Sequence, residues 1–427
     1  MPCPSNCLLL ALTLAATSCF SSNAVWSYEP NVAGAKLGTL CSFAGDENGD
    51  GYDDFVVLAG GQAPAAGGSG QVYLFRGGPS GPASAPAGLL NKGYPLYGWP
   101  LEGIGDVNGD GLDDIMLTGY ANPQLSMRMV EVHPGPLTGS NVLPHVYLGR
   151  VGDGGFGRTL AALGDLNQDG FADFAMGHRG DSGGGQGRAE VYYGAADFFA
   201  PQSNSGIAGW VAVGGGGFGA SITTADVNGD GWQDLLVGDP LIGQPGDGQV
   251  EAYLNGPTGL QTAPVWSVSG GPSESLGLWI RGVGDRNGDG FEDFVANVST
   301  GQGPAAEGLN LFFASPTGAT RGPSRVFAAS LYAVPAIAAA GDISGDGLTD
   351  IAFGEGPVGT ESVRVIDGLP GNELWSRTAP VPGSQFGASL DAGGDVDGDG
   401  MTDLIIGAPG YTNGETQEGI IYLHRGL

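Results

Sequence analysis

Asp46-Glu47-Asn48-Gly49-Asp50-Gly51-Tyr52-Asp53-Asp54 is the stretch from which the rest of the chain can be read. Its pattern, D-x-N-x-D-G-x-x-D, begins again at Asp106, Asp165, Asp226 and Asp285. Two variants begin at Asp342, with Ser344 in third place, and at Asp395, with Asp397 there. Successive starts lie 60, 59, 61, 59, 57 and 53 residues apart. A unit recurring at near-constant spacing marks a repeat architecture, in which each copy buries its apolar face against its neighbours.

The residue types fix the chemistry. Position one is Asp46, Asp106, Asp165, Asp226, Asp285, Asp342 and Asp395; position three is Asn48, Asn108, Asn167, Asn228, Asn287, Ser344 and Asp397. Position five is Asp50, Asp110, Asp169, Asp230, Asp289, Asp346 and Asp399; position nine is Asp54, Asp114, Asp173, Asp234, Asp293, Asp350 and Asp403. A tight coil brings these side chains onto one point together with the carbonyl of position seven: Tyr52, Leu112, Phe171, Trp232, Phe291, Leu348 and Met401. Ca²⁺ takes such a set of six to eight hard oxygens at about 2.3–2.6 Å. Position six, where the coil must turn sharply, is glycine in every copy. The bulky residues at position seven are expected to give their carbonyl to the metal and their side chain to the core. A run of Asp-Gly surface turns accounts for the glycines but not for three acids at fixed offsets in each copy.

The charge balance agrees. Forty-five acidic residues face 15 Lys and Arg, a formal charge of −30, which excludes a nucleic-acid or anionic-membrane partner. Three acids in each of seven loops, plus Asp397, make up 22 of the 45. Up to seven structural Ca²⁺ ions would bring −30 to −16 and offset a self-repulsion that otherwise opposes compaction.

An EF-hand places a bidentate Glu at position twelve, at the start of a helix. Here that position is Val57, Leu117, Met176, Val237, Ala296, Phe353 and Ile406, inside short apolar runs that read as buried strands. Each period offers four strands, as in Thr159–Leu163, Phe174–Met176, Glu190–Tyr193 and Val265–Val268. Glycine (83) and proline (28) then mark tight turns rather than disorder. The expectation is all-β: a seven-bladed β-propeller of four-stranded antiparallel blades. The last repeat ends at its third strand, Gly419–His424, while Val25-Trp26-Ser27-Tyr28 matches fourth strands such as Val265-Trp266-Ser267. The N-terminal strand is therefore expected to complete the last blade and close the ring.

Phe156-Gly157, Phe218-Gly219 and Phe386-Gly387 before the loops, with Gly407-Ala408-Pro409 after the last, resemble FG-GAP repeats. That family forms the N-terminal propeller of integrin alpha subunits. The resemblance covers residues 25–427 and implies a non-catalytic adhesion or ligand-binding module. It does not imply integrin function itself, since no inserted adhesion domain, leg domains or membrane anchor are read from the sequence.

Residues 1–24 hold no charged side chain and contain Leu8–Ala16, an apolar run ahead of Ser22-Asn23-Ala24. This reads as a secretory signal peptide cut before Val25, leaving 25–427 as one propeller. The lipoprotein alternative uses Cys19. No later segment reaches the ~18 apolar residues of a membrane span. With at most Cys19 and Cys41 left after cleavage, no disulfide framework is available. The product is read as secreted or cell-surface, monomeric, with an extracellular protein or glycan as partner.

Gly180-Asp181-Ser182-Gly183-Gly184 mimics a protease nucleophile but aligns with repeat loops, and no histidine arrangement supports it. Arg179-Gly180-Asp181 reads as a flexible polar loop, a tripeptide that chance can supply, and the sequon Asn297-Val298-Ser299 matters only in a source that glycosylates secreted proteins. Trp99, Trp210, Trp266, Trp279 and Trp375 are expected in the blade core. Alternation of the strands puts the loops between second and third strands on the face opposite the cation loops, with Arg179, Arg188 and Tyr411 as candidate contacts. The class-different alternatives are a hydrolase or lyase with a channel site, or a structural surface component. Small and apolar residues are expected near the axis, which disfavours the enzyme.

Overall fold

The computed structural model describes residues 26–61, 70–90, 98–122, 127–137, 144–150, 155–180, 185–200, 207–243, 246–298, 308–328, 336–356, 358–367 and 372–426. Residues 1–24, with the expected export signal and Cys19, lie outside the described residues; Cys41 is free and buried. Blade one comprises β2 (Leu37–Gly45), β3 (Asp54–Ala59), β4 (Gln71–Phe75) and β5 (Gly88–Leu90). Blade two is β6 (Leu101–Gly105), β7 (Asp114–Asn122), β8 (Met127–His133) and β9 (His145–Leu148). Blade three is β10 (Thr159–Gly164), β11 (Asp173–His178), β12 (Arg188–Tyr192) and β13 (Trp210–Val213). Blade four is β14 (Ser221–Ala225), β15 (Asp234–Asp239), β16 (Gln249–Tyr253) and β17 (Trp266–Ser269). Blade five is β18 (Ile280–Gly282), β19 (Phe294–Val298), β20 (Gly308–Ser315) and β21 (Gly318–Ala328). Blade six is β22 (Ile337–Ala339), β23 (Ile351–Glu355), β24 (Ser362–Ile366) and β25 (Glu373–Thr378). Blade seven is β26 (Ser389–Gly394), β27 (Asp403–Ala408), β28 (Ile420–His424) and β1 (Trp26–Tyr28).

Every pairing is antiparallel, and β1 pairs with β28 in the register Trp26↔Leu423, Ser27↔Tyr422, Tyr28↔Ile421. The first strands touch in sequence around the axis, from β2 through β6, β10, β14, β18, β22 and β26 back to β2. Seven antiparallel blades in a ring make this a seven-bladed β-propeller, closed by its N-terminal strand. The twelfth loop positions, from Val57 to Ile406, all lie buried in second strands. Among the described residues there is no helix.

The apolar core divides into seven clusters, each between two adjacent blades. The cluster between blades seven and one joins Ile405, Ile421 and Leu423 to Phe55, Val57 and Phe75, with Trp26 packed against it. Trp26 sits edge-on to Phe75 at 5.1 Å and to Phe55 at 5.8 Å, so a strand of blade seven is pinned by the aromatic core of blade one. Between blades, glycine lets backbones meet. A Cβ on Gly177 would lie 2.0 Å from the Gly219 carbonyl, and one on Gly407 would lie 2.2 Å from that of Gly38.

Two expectations need correction. Position seven does not enter the core: Met401 is 47% exposed, and the other six are half-buried. Four of them instead cover the fourth-position glycine of the preceding loop: Tyr52 over Gly398, Leu112 over Gly49, Phe171 over Gly109 and Phe291 over Gly229. The apolar side chain is held over a neighbouring loop because its carbonyl end is fixed in the coil. Of the tryptophans, Trp210, Trp266 and Trp375 are buried in blades, but Trp99 is 45% exposed and Trp279 lines the axial cavity.

Trp26→Ala is expected to cost about 2 kcal/mol, because truncation opens a cavity at the seam, and to lower the melting temperature at fixed calcium. Trp99→Ala should stay within ~0.5 kcal/mol. Equal melting temperatures for the two variants would remove Trp26 as the closure.

Candidate metal loops and axial channel

In each loop the first carboxylate organises its own backbone. Asp46 Oδ1 accepts the N–H groups of Gly49 (2.7 Å) and Asp50 (3.0 Å), and Oδ2 accepts that of Gly51 (2.8 Å). The same set forms at Asp106, Asp226 and Asp395. The fifth carboxylate accepts the N–H of position seven in all seven loops. Position six has φ between +80° and +95°, with no atom within 4 Å of an added Cβ. Glycine is needed there for its backbone conformation, not for space. In loop seven, carboxylate oxygens of Asp395, Asp397 and Asp403 lie within 4.8 Å of one another, close enough to share one cation.

The ninth carboxylate opens, or immediately precedes, the second strand and is fully buried in every loop. In loops two and four backbone amides hold both of its oxygens: Asp114 takes those of Val107 (2.9 Å) and Gly135 (2.9 Å), and Asp234 those of Val227 (3.1 Å) and Asn255 (2.7 Å). Desolvation outweighs these bonds. It pushes Asp54, Asp114, Asp173, Asp234 and Asp293 up to about 7, and Asp350 and Asp403 up to about 6. Asp350 Oδ1 and Asp397 Oδ1 are buried without a hydrogen-bond partner. Hard oxygens, buried negative charge and orphaned acceptors together fit a divalent cation.

Two arginines unsettle the ranking that the third position alone would give. Arg425 Nη1 donates to Asp397 Oδ2 at 2.8 Å, so the extra carboxylate of loop seven is already paired. Arg286, at position two of loop five, is 1% exposed, with all three guanidinium nitrogens lacking hydrogen-bond partners. Its charge acts on Asp350 and Asp346 of loop six and opposes the rise that burial imposes on Asp350.

Sequence reading also passed over position eight. Asp113 Oδ2 accepts the Asp46 N–H (2.8 Å), Asp53 Oδ2 that of Asp395 (2.8 Å), and Glu292 Oε2 that of Asp226 (2.9 Å). Backbone bonds run alongside, such as Asp53 N–H to the Asp395 carbonyl at 3.1 Å. The loops are thus tied blade to blade, including across the closing seam. A recurrent acid at position eight was the available signal.

Residues 386–424 match the FG-GAP repeat family, and residues 165–237 match an FG-GAP-like repeat. The chain carries FG-GAP repeats. It is similar to integrin alpha-PS2 of Drosophila melanogaster, with 28% identity over 202 residues (45% of this chain and 11% of that protein). Integrin alpha-3 of Cricetulus griseus is 29% identical over 198 residues, and integrin alpha-7 of Homo sapiens 37% over 86. The matched parts are 14% and 7% of those two proteins, so the similarity is to a small part of each. A solved rhamnogalacturonan lyase aligns over 84% of this chain and 71% of its own, at 14% identity and a TM-score of 0.38.

The FG-GAP elements now have a physical reading. Phe218 and Phe386 are fully buried, and the glycine after each accepts the close backbone contact between blades. On the opposite face, Arg179 and Arg188 both belong to blade three, whereas Tyr411 belongs to blade seven, so the three do not form one patch. Asp181 and Ser182 lie outside the described residues. So does Ser299 of the sequon, whose Asn297 pairs with Leu309 inside a blade.

The axis departs most from expectation. The position of the first strand that pairs with loop position eleven is Ser42, Glu102, Ala161, Thr223, Arg281, Ala338 and Asp391 in blades one to seven. Ser42 and Thr223 accept amides of the next blade, Gly103 and Gly282. Glu102, Arg281 and Asp391 line a cavity of about 270 Å³ walled by all seven blades. Desolvation, with Asp391 adding to it and Arg281 opposing, pushes Glu102 up to about 8. Titratable groups do converge there, and the expectation of small, apolar axial residues fails. One strand position per blade carries a different side chain, and only ring closure sets them face to face.

A raised carboxyl pKa means that the folded chain holds protons which the unfolded chain has released. That stability is present below the unfolded value near 4 and is lost as pH rises through about 7. In EGTA the melting temperature is therefore expected to fall from pH 5 to pH 8, and excess divalent cation should abolish the trend. A melting temperature independent of pH in EGTA would contradict the burial of the ninth carboxylates.

Proposed function

We propose that this FG-GAP propeller is a secreted or cell-surface, non-catalytic recognition module. Ca²⁺ stiffens each blade, and an extracellular protein or glycan binds the face opposite the loops. The carrying observation is the ninth carboxylate: in all seven loops it is buried and desolvated, and in loop seven its oxygens lie within 4.8 Å of those of Asp395 and Asp397. In loop one the ligands are Asp46, Asn48, Asp50, the carbonyl of Tyr52, and Asp54, and the other loops follow position by position. Ca²⁺ supplies counter-charge and cross-links the turn to the inner strand. Similarity to integrin alpha chains supports the recognition reading, as does a rigid ring that presents its connecting loops on one face. Residues 1–24 serve as the export signal, and the mature chain starts at Val25. Among the described residues no helix is long and apolar enough to cross a membrane.

Elemental analysis of purified protein, with melting followed through a calcium titration, tests this. Close to seven Ca²⁺ per chain and a saturable rise in melting temperature are expected, because a ligand that binds only the folded state stabilises it. Loop six should empty first, since Ser344 contributes no charge and Arg286 opposes the ion. Arg425→Met should tighten loop seven by releasing Asp397. A calcium-independent melting temperature would overturn the reading.

A further inference from the structure

Position two of each loop faces the next blade, and five copies fill it with an aliphatic side chain packed in that interface: Val107, Leu166, Val227, Ile343 and Val396. Glu47 is charged but answered, with Oε1 accepting the Arg76 Nε–H at 2.6 Å and Oε2 the Leu137 N–H. Arg286 is the exception. It is 1% exposed, and none of its three guanidinium nitrogens has a hydrogen-bond partner among the described residues. The carboxylates whose charge reaches it are Asp350 and Asp346 of loop six, then Asp367 and Asp293.

Loop six departs from the other loops at the same carboxylate. Elsewhere Oδ1 of the ninth residue accepts an amide at the end of the third strand or just beyond it, from Gly77, Gly135, Gly194, Asn255, Ala314 and Gly426, at 2.7–2.9 Å. Asp350 Oδ1 has no partner among the described residues, and neither has Asp367 Oδ1, on the turn that follows β24. An amide dipole present in six loops is thus missing in one, and that loop alone has a buried, uncommitted guanidinium acting on its ninth and fifth carboxylates. A guanidinium out of water requires counter-charge, and a divalent ion held by the same carboxylates is repelled by it. The two cations cannot both have the full benefit of Asp350 and Asp346.

Resting on the calcium assignment of the loops, we propose that Arg286 is an internal counter-cation of loop six, which competes with Ca²⁺ for Asp350 and Asp346. Loop six is then a weak, exchangeable site, and when its ion leaves the guanidinium takes over the neutralisation. A fall in external calcium is registered at the interface of blades five and six while the other six loops stay loaded.

Calcium uptake by the purified protein, dialysed against EGTA-buffered free calcium and measured by elemental analysis, tests this. The unsubstituted protein should take up six ions together and a seventh at about tenfold higher free calcium. Arg286→Met should bring the seventh ion in with the other six, and should lower the melting temperature in EGTA but not in excess calcium. Arg286→Lys, which keeps the charge, should keep the late seventh ion. Seven equivalent ions in the unsubstituted protein overturn the proposal, as does a seventh ion unmoved by Arg286→Met. A melting temperature lowered equally with and without calcium also overturns it, because Arg286 is then a packing residue only. Should Arg286→Met fail to fold, Asp350→Asn decides: it should leave the six early ions in place, whereas Asp234→Asn should remove one, and loss of an early ion from Asp350→Asn overturns the proposal. Absence of any calcium uptake would sink the calcium assignment itself and this inference with it; seven equivalent ions would sink this inference alone.

Discussion

A carboxylate with no water around it stands at the root of each second strand, and much of the molecule is arranged around that cost. Asp54 and its six counterparts are fully buried at the point where an exposed coil becomes the most buried strand of the blade. Amide donors stabilise them, two backbone N–H groups in the case of Asp114 and Asp234, but do not restore ordinary acidity. Under the proposed reading, a divalent cation between this group and the first, third and fifth side chains would convert repulsion among acids into a cross-link. The −30 charge of the chain therefore becomes intelligible as a set of local sites rather than a diffuse surface property.

Stability in such a ring is distributed. Each apolar cluster belongs to two blades, so no blade owns a core and the seam between seven and one has to be made by the chain's two ends. The same interfaces explain the glycines of the FG-GAP signature. Where Gly177 meets Gly219, backbone lies against backbone, and a methyl group on either would force the blades apart. Acids at position eight, Asp53, Asp113 and Glu292, add polar ties between three pairs of successive loops.

Symmetry and function pull in different directions at the axis. Interface positions are kept alike by packing, but the first-strand position that faces the channel tolerates Ser, Ala, Thr, Glu, Arg and Asp. The variation puts charged groups of both signs, Glu102, Asp391 and Arg281, on the channel wall, beside Arg158 just ahead of the first strand of blade three.

The sequence by itself determined the repeat, the four strands per blade, the acidic coil and the partner of the N-terminal strand. Each is a local pattern: spacing, alternation, or a glycine that must turn left-handed. It also placed Trp210, Trp266 and Trp375 correctly, because they lie in alternating strands. Tertiary structure alone decided what depends on residues far apart in the chain. Arg425 reaches back to Asp397, Arg286 of one blade bears on Asp350 of the next, and Tyr52 covers Gly398 across the seam. Glu102, Arg281 and Asp391 lie about 180 and 110 residues apart and share no motif, so no reading of periodicity could pair them. Only bending the sheet array through a full circle brings their side chains to the same cavity.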